Sequence, residues 1–218
     1  MSQPAKTQPE GTAARRIVET LVMNGIDRIF CVPGESYLAA LDALYAQRNS
    51  IRYVICRQEG GASYMAEAYG KLTGKPGVCF VTRGPGATNA AVGMHTGFQD
   101  STPMILLVGQ VARETTDREA FQEIDYRRMY GEMAKWVAQI DRAERIPEYL
   151  ARAFQVATSG RPGPVVLALP EDMQAQTAEV DDALCHQPVQ AAPSDTQIAA
   201  LRRALGQAQR PLVLVGGY

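Results

Sequence analysis

Met104 to Val108 reads Met-Ile-Leu-Leu-Val, an apolar run with no polar residue at any second position. A strand with one face in water alternates, whereas an uninterrupted one is covered on both faces. Val78 to Thr82 and Val165 to Leu169 have the same character, and segments of helical periodicity lie between these runs. Buried strands alternating with helices specify a three-layer α/β/α fold around a mostly parallel sheet. With 46% hydrophobic and 21% charged residues, the chain can fill such a core.

Around these strands the remaining elements fall into order. Thr12 predicts an N-cap for a helix carrying Ile17, Val18, Leu21 and Val22, which Asn24-Gly25 stops. Arg28 to Val32 predicts a short strand, ended by Pro33-Gly34. A second helix is expected to bury Leu38, Leu41, Leu44 and Tyr45, and a strand then leads to Glu59. The next helix presents Ala62, Met65, Ala66, Tyr69 and Leu72 on one face, and Gly84-Pro85-Gly86 opens another, over Ala87 to Gln99. A charged segment, Arg113 to Arg128, precedes a strand at Lys135-Trp136-Val137 and a helix ending near Thr158.

The 218 residues suit one domain and part of another. Residues 1–10 predict a disordered leader without the apolar stretch of a secretory signal, and 11–170 a complete α/β domain. Residues 171–193 are polar and Ala/Gln-rich, the composition of a linker. Ser194 with Gln197 forms a capping box ahead of Ile198, Leu201 and Leu205, and Pro211 to Val215 predicts a strand. One helix and one strand cannot bury a core. The expectation is therefore a fragment of a longer protein, 194–218 being the start of its second domain. A net charge of −1 gives no reason to expect nucleic acid or an anionic membrane, and no apolar run approaches the ~20 residues that span a bilayer. Cys31, Cys56 and Cys79 lie in or beside apolar runs, and no C-x-x-C spacing surrounds Cys185, so neither disulfides nor a metal site are expected and a reducing cytoplasm fits.

Two stretches invite chemistry. Glu59 is a lone carboxylate between an apolar strand and Gly60-Gly61, at the sheet edge where α/β proteins place ligands; from this stretch alone a cap for the following helix is the favoured reading. The loop Arg83-Gly84-Pro85-Gly86-Ala87-Thr88-Asn89 suggests a phosphate cradle, but it lacks the third glycine of the dinucleotide fingerprint, and neither Gly-Lys pair continues as a Walker loop. His95 reads as a satisfied structural histidine.

Taken together, Glu59-Gly60-Gly61-Ala62, Met65-Ala66-Glu67, Gly74-Lys75-Pro76-Gly77 and Gly84-Pro85-Gly86-Ala87-Thr88-Asn89 resemble the pyrimidine-binding domain of thiamin-diphosphate enzymes, most closely the acetolactate synthase catalytic subunit. Gly109-Gln110-Val111, Ala120-Phe121-Gln122-Glu123, Lys135-Trp136 and Gly160-Arg161-Pro162-Gly163-Pro164-Val165 extend the likeness to Pro170.

The resemblance implies that Glu59 is catalytic. In the family a carboxylate at this position bonds N1′ of the aminopyrimidine and so helps deprotonate the thiazolium C2, after which the cofactor drives decarboxylation of a 2-keto acid. It also implies that Pro33, Gly34, Gly86, Ala87, Thr88 and Asn89 contact the cofactor, and that Phe121, Gln122 and Lys135 line the substrate channel. The apolar strand before Glu59 predicts a sheltered carboxylate. No metal ligand is expected in this chain, since no Gly-Asp-Gly occurs. The resemblance assigns Mg²⁺ to an absent C-terminal domain, FAD to the middle domain of those members that bind it, and the complete site to a homodimer or tetramer, with a regulatory small subunit as a further partner. The chain alone is expected to be catalytically silent.

The chain also departs from the family pattern. Val32-Pro33-Gly34-Glu35 stands where acetolactate synthases read Tyr-Pro-Gly-Gly, Gly60 replaces Gln, Tyr64 replaces His, Arg83 replaces a small residue, and His95 replaces Ala. These differences leave open a relative acting on oxalyl-CoA, glyoxylate or sulfoacetaldehyde. A Rossmann-like nucleotide-binding module and a non-catalytic subunit are the readings from other classes.

Overall fold

The computed structural model describes residues 11–178, 185–189 and 191–216. Six strands form one sheet: β1 (Arg28–Cys31), β2 (Arg52–Ile55), β3 (Gly77–Val81), β4 (Met104–Gln110), β5 (Trp136–Gln139) and β6 (Pro164–Pro170). Their order is β2-β1-β3-β4-β6-β5, and every neighbouring pair is parallel. Each residue of β3, β4 and β6 is buried, as their unbroken apolar runs require. Alternate side chains enter two separate cores. Phe80, Ile105, Leu107 and Leu167 pack under α1 (Ala13–Met23), α2 (Leu38–Ala46) and α6 (Ile146–Thr158). On the other face, Cys79, Val81, Leu106 and Val108 meet α3 (Glu59–Thr73), α4 (Gly84–Gln99) and the short α5 (Tyr126–Tyr130).

The caps follow the sequence. Thr12 Oγ1 accepts the N–H of Arg15 at 3.3 Å to start α1, and Asn24 ends it before Gly25 at φ +74°. Two helices bury only part of the face expected. On α2 the buried residues are Ala40, Ala43 and Leu44, while Leu38 and Tyr45 are each 64% exposed. On α3, Ala62 and Ala66 are buried as expected, but Met65 and Leu72 face out. On α3 the reason is close approach. A Cβ at Gly93 of α4 would lie 2.3 Å from Ser63 Oγ, and one at Gly77 of β3 would lie 1.8 Å from Ala66 O. Where helices pack this tightly, small residues make the interface and larger ones are left at the rim.

After β6 the chain turns at once into α7 (Glu171–Gln174), so the head of the stretch with linker composition is packed on the sheet domain. Gln174 is fully buried and donates to Ser36 O at 2.9 Å and Leu169 O at 3.0 Å. Farther on, His186 pairs with Thr158 Oγ1 at 2.8 Å. The capping box at Ser194 forms and opens α8 (Asp195–Gln207), none of whose residues is buried. The strand expected at Pro211 to Val215 does not form within residues 211–216; Leu214 and Val215 are almost fully exposed, with no neighbouring strand to complete their hydrogen bonds. The leader, 1–10, lies outside the described residues. No helix among the described residues is long and apolar enough to cross a membrane.

Candidate functional site

From β1 the chain runs outward to β2 and returns on the other side of β1 as β3. This reversal opens a crevice at the carboxyl ends of the strands, the usual ligand position in open α/β sheets. The Pro33-Gly34 turn leaves β1 here and the Thr82-to-Gly86 turn leaves β3. They touch: a Cβ at Gly34 would sit 2.4 Å from Thr82 Cβ, and Ser36 Oγ lies 2.9 Å from Thr82 Oγ1.

Glu59 is the first residue of α3, but it is not the cap. Gln58 Oε1 accepts the N–H of Gly61 at 2.9 Å, so the capping duty falls one residue earlier. The Glu59 carboxylate instead reaches α4, where its Oε2 accepts a hydrogen bond from Asn89 Nδ2 at 2.9 Å. Its other oxygen faces Gly86, at which a Cβ would stand 3.5 Å from Oε1. Glu59 is partly buried. Its shelter comes from α4 rather than from the preceding strand, since β2 is a sheet edge and Ile55 is 65% exposed.

Other expected residues divide. Ala87 is buried in the core, with its carbonyl accepting the Tyr130 hydroxyl, and Thr88 Oγ1 turns back to Gly84 O at 2.8 Å. Gln122 is held against the glycine loop, its carbonyl accepting the Gly84 N–H at 3.0 Å, with Phe121 exposed beside it. Lys135 is not brought here. It precedes β5 at the opposite end of the sheet, where Nζ donates to Val156 O and, at 2.8 Å, to Ser159 O, the carbonyls at the end of α6. That is a structural use of a lysine at a helix C-terminus, and burial pushes its ammonium below the ordinary lysine range. His95 is exposed and has no side-chain hydrogen bond among the described residues, so it is not the satisfied histidine expected.

The glycine loop is poorly equipped for a phosphate. Gly84 N–H is spent on Gln122 O, Pro85 has none, and Ala87 N–H is bonded to Arg83 O at 2.9 Å. Beside it lies a feature that the sequence does not announce. Arg83, 7% exposed, donates through Nη1 to Glu35 Oε1 at 2.9 Å and through Nη2 to Glu171 Oε2 at 2.5 Å. Two departures from the family pattern, a gained acid and a gained base, are thus partners. Their opposite charges were the available signal; nothing in the sequence links Glu171 to them.

Residues 11–129, more than half of the chain, match the family described as "Thiamine pyrophosphate enzyme, N-terminal TPP binding domain". The chain belongs to this family. Among curated relatives of this thiamine pyrophosphate enzyme domain, acetolactate synthase isozyme 2 large subunit of Escherichia coli (strain K12) is 34% identical over 204 residues, covering 94% of this chain and 37% of the relative. The chloroplastic acetolactate synthase of Arabidopsis thaliana is 34% identical over 225 residues, covering 100% of this chain and 33% of the relative. The acetolactate synthase large subunit of Buchnera aphidicola subsp. Schizaphis graminum (strain Sg) is 40% identical over 166 residues, 76% of this chain and 29% of the relative. The chain thus spans about a third of the length of the curated relatives it matches. Within the family domain, Glu59, Gly86 and Asn89 come together: Asn89 engages one carboxylate oxygen, and the other lies beside a position without a side chain.

Proposed function

We propose that this chain is the N-terminal portion of a thiamin-diphosphate-dependent carboligase or decarboxylase of the acetolactate synthase type. The parent enzyme would decarboxylate a 2-keto acid such as pyruvate and transfer the two-carbon unit to a second keto acid, as in branched-chain amino acid biosynthesis. The observation that carries this reading is the Glu59 carboxylate, steadied on one oxygen by Asn89 at 2.9 Å and open on the other beside Gly86.

When bound, thiamin diphosphate supplies the electron sink for decarboxylation, and the protein's task is to orient it and manage a proton. Glu59 would hold a proton at its free Oε1, toward the N1′ side of the pyrimidine. Asn89, by engaging Oε2, fixes which oxygen does so. Gly86 keeps the approach to Oε1 clear. Gly34, seated on Thr82, would shape the other wall of the crevice with Pro33 before it in the same turn, and Phe121 and Gln122 would flank the way in for substrate. The diphosphate would be captured through Mg²⁺ by a C-terminal domain of a second subunit. The working unit would then be a cytoplasmic homodimer or tetramer, and any FAD or regulatory small subunit would belong to the parent enzyme. In that parent, Glu59→Gln should lower turnover by several orders of magnitude while cofactor still binds; near-normal turnover would remove the mechanism.

A second reading rests on Arg83, Glu35 and Glu171. This ion cluster around the buried Arg83, with Glu35 and Arg83 at positions where acetolactate synthases carry small residues, favours a parent acting on a different acceptor or donor, of the oxalyl-CoA, glyoxylate or sulfoacetaldehyde type. Product analysis of the parent with pyruvate and with each of these substrates separates the two.

A further inference from the structure

Thr82, the first residue beyond β3, stands between the two glycine turns of the crevice. Its Cβ faces Gly34, where an added Cβ would lie 2.4 Å away, and its Cγ2 faces Gly86, where one would lie 3.1 Å away. The turn after β1 and the start of α4 are therefore held apart by one threonine side chain. Its hydroxyl engages the first of them, with Thr82 Oγ1 2.9 Å from Ser36 Oγ. Ser36 is itself fixed on two further sides. It is fully buried against Gly109 of β4, where a Cβ would stand 1.8 Å from Ser36 Oγ, and its carbonyl accepts Gln174 Nε2 of α7 at 2.9 Å. The stem of the Gly34 turn is fixed by Tyr37, whose hydroxyl donates to Val32 O and whose ring stacks on Phe80 with centroids 3.9 Å apart.

We propose that Thr82 is a positioning residue that sets the distance between Gly34 and Gly86, and through Gly86 the access to Glu59 Oε1. A β-branched side chain carries its hydroxyl and its methyl on one carbon, so a single χ1 rotation orients both. Holding Oγ1 on Ser36 therefore aims Cγ2 at Gly86, the residue whose added Cβ would stand 3.5 Å from Glu59 Oε1. Serine keeps the anchor and loses the spacer. Valine keeps the shape and loses the anchor on Ser36. Neither replaces threonine, whereas a residue that only filled space would be replaced by valine without effect on Gly86. The inference rests on the proposed reading of the crevice as the pyrimidine site, but the geometry it concerns belongs to the chain without cofactor.

The test begins with the isotope-labelled 218-residue chain, whose Asn89 side-chain amide resonance reports on the Glu59 contact. Thr82→Ser and Thr82→Val should both keep the native circular dichroism. In Thr82→Ser the signals of the Gly86 amide and the Asn89 side chain should move while that of Gly34 stays. In Thr82→Val all three should move, with the amides of β5, at the far edge of the sheet, unmoved in both variants. In the parent enzyme the thiamin diphosphate concentration for half-maximal activity should rise about fivefold or more in each variant, with kcat at saturating cofactor within about twofold of normal. A merely structural threonine would give a lowered melting temperature and nothing else. The proposal is overturned by an unmoved Asn89 signal in Thr82→Val, or by unaltered cofactor dependence in either variant. Near-normal turnover of Glu59→Gln would remove the proposed reaction instead, and the amide signals, recorded without cofactor, would still decide the role of Thr82.

Discussion

Asn89 of α4 donates to Glu59 of α3 across 2.9 Å, joining the second turn of one helix to the first residue of the other. The contact occupies one carboxylate oxygen and leaves the other turned to the space over Gly86. Because Gln58 performs the capping, Glu59 is released from a structural task that its position would otherwise assign to it.

Removing the Asn89 amide should loosen this carboxylate without removing it. In the parent enzyme Asn89→Ala is expected to reduce kcat/KM about tenfold, or roughly 1.4 kcal/mol, far less than Glu59→Gln. Steady-state kinetics of the two variants side by side check the ranking.

Gly86→Ala adds a Cβ 3.1 Å from Thr82 Cγ2 and 3.5 Å from Glu59 Oε1. The first contact is tight but yielding, and the second intrudes on the open oxygen. The melting temperature of this chain should fall by only a few degrees, whereas the cofactor concentration for half-maximal activity of the parent should rise roughly tenfold or more. A large stability loss with unaltered cofactor dependence would contradict the placement.

Arg83 is buried, while Glu35 and Glu171 keep side-chain exposures of 66% and 39%. Removing the acids and removing the base should therefore differ. Arg83→Met leaves two hydrated carboxylates and should cost about 1–2 kcal/mol. Glu35→Ala/Glu171→Ala leaves a buried guanidinium unpaired and should cost about 3–5 kcal/mol. Urea denaturation of the 218-residue chain measures both, and the reverse order would show that the cluster is more hydrated than its geometry indicates.

Asp27 predicts part of the acid limb of stability. Hydrogen bonds from Arg28 and then from Tyr69 hold its carboxyl down at about 2, against an ordinary value of 3.8. A depressed carboxylate pKa stabilises the fold above the unfolded value and loses that contribution as pH falls through the folded one. The stabilisation should be complete above about pH 4 and gone near pH 2. It should be small, because the aspartate is solvent-exposed. Thermal melts from pH 5 to pH 2 should show a shallower decline in Asp27→Asn than in the parent sequence.

Sequence alone determined the layered architecture, because an unbroken apolar strand can be satisfied only by cover on both faces, and β3, β4 and β6 have that cover. It also determined the caps at Thr12 and Ser194, whose hydrogen bonds lie within three residues. The same local logic holds only in part for α2 and α3: Leu44, Ala62 and Ala66 are buried as expected, but Leu38, Tyr45, Met65 and Leu72 are left exposed, and on α3 close approach is what favours the small residues. Tertiary structure alone decided that Asn89 meets Glu59 from 30 residues away, that Lys135 serves α6 at the far end of the sheet, and that Arg83 closes on Glu171 from 88 residues away. Periodicity and capping act over one or two turns of chain and can be read along it. A charge's partner depends on strand order, and strand order exists only once the sheet has closed.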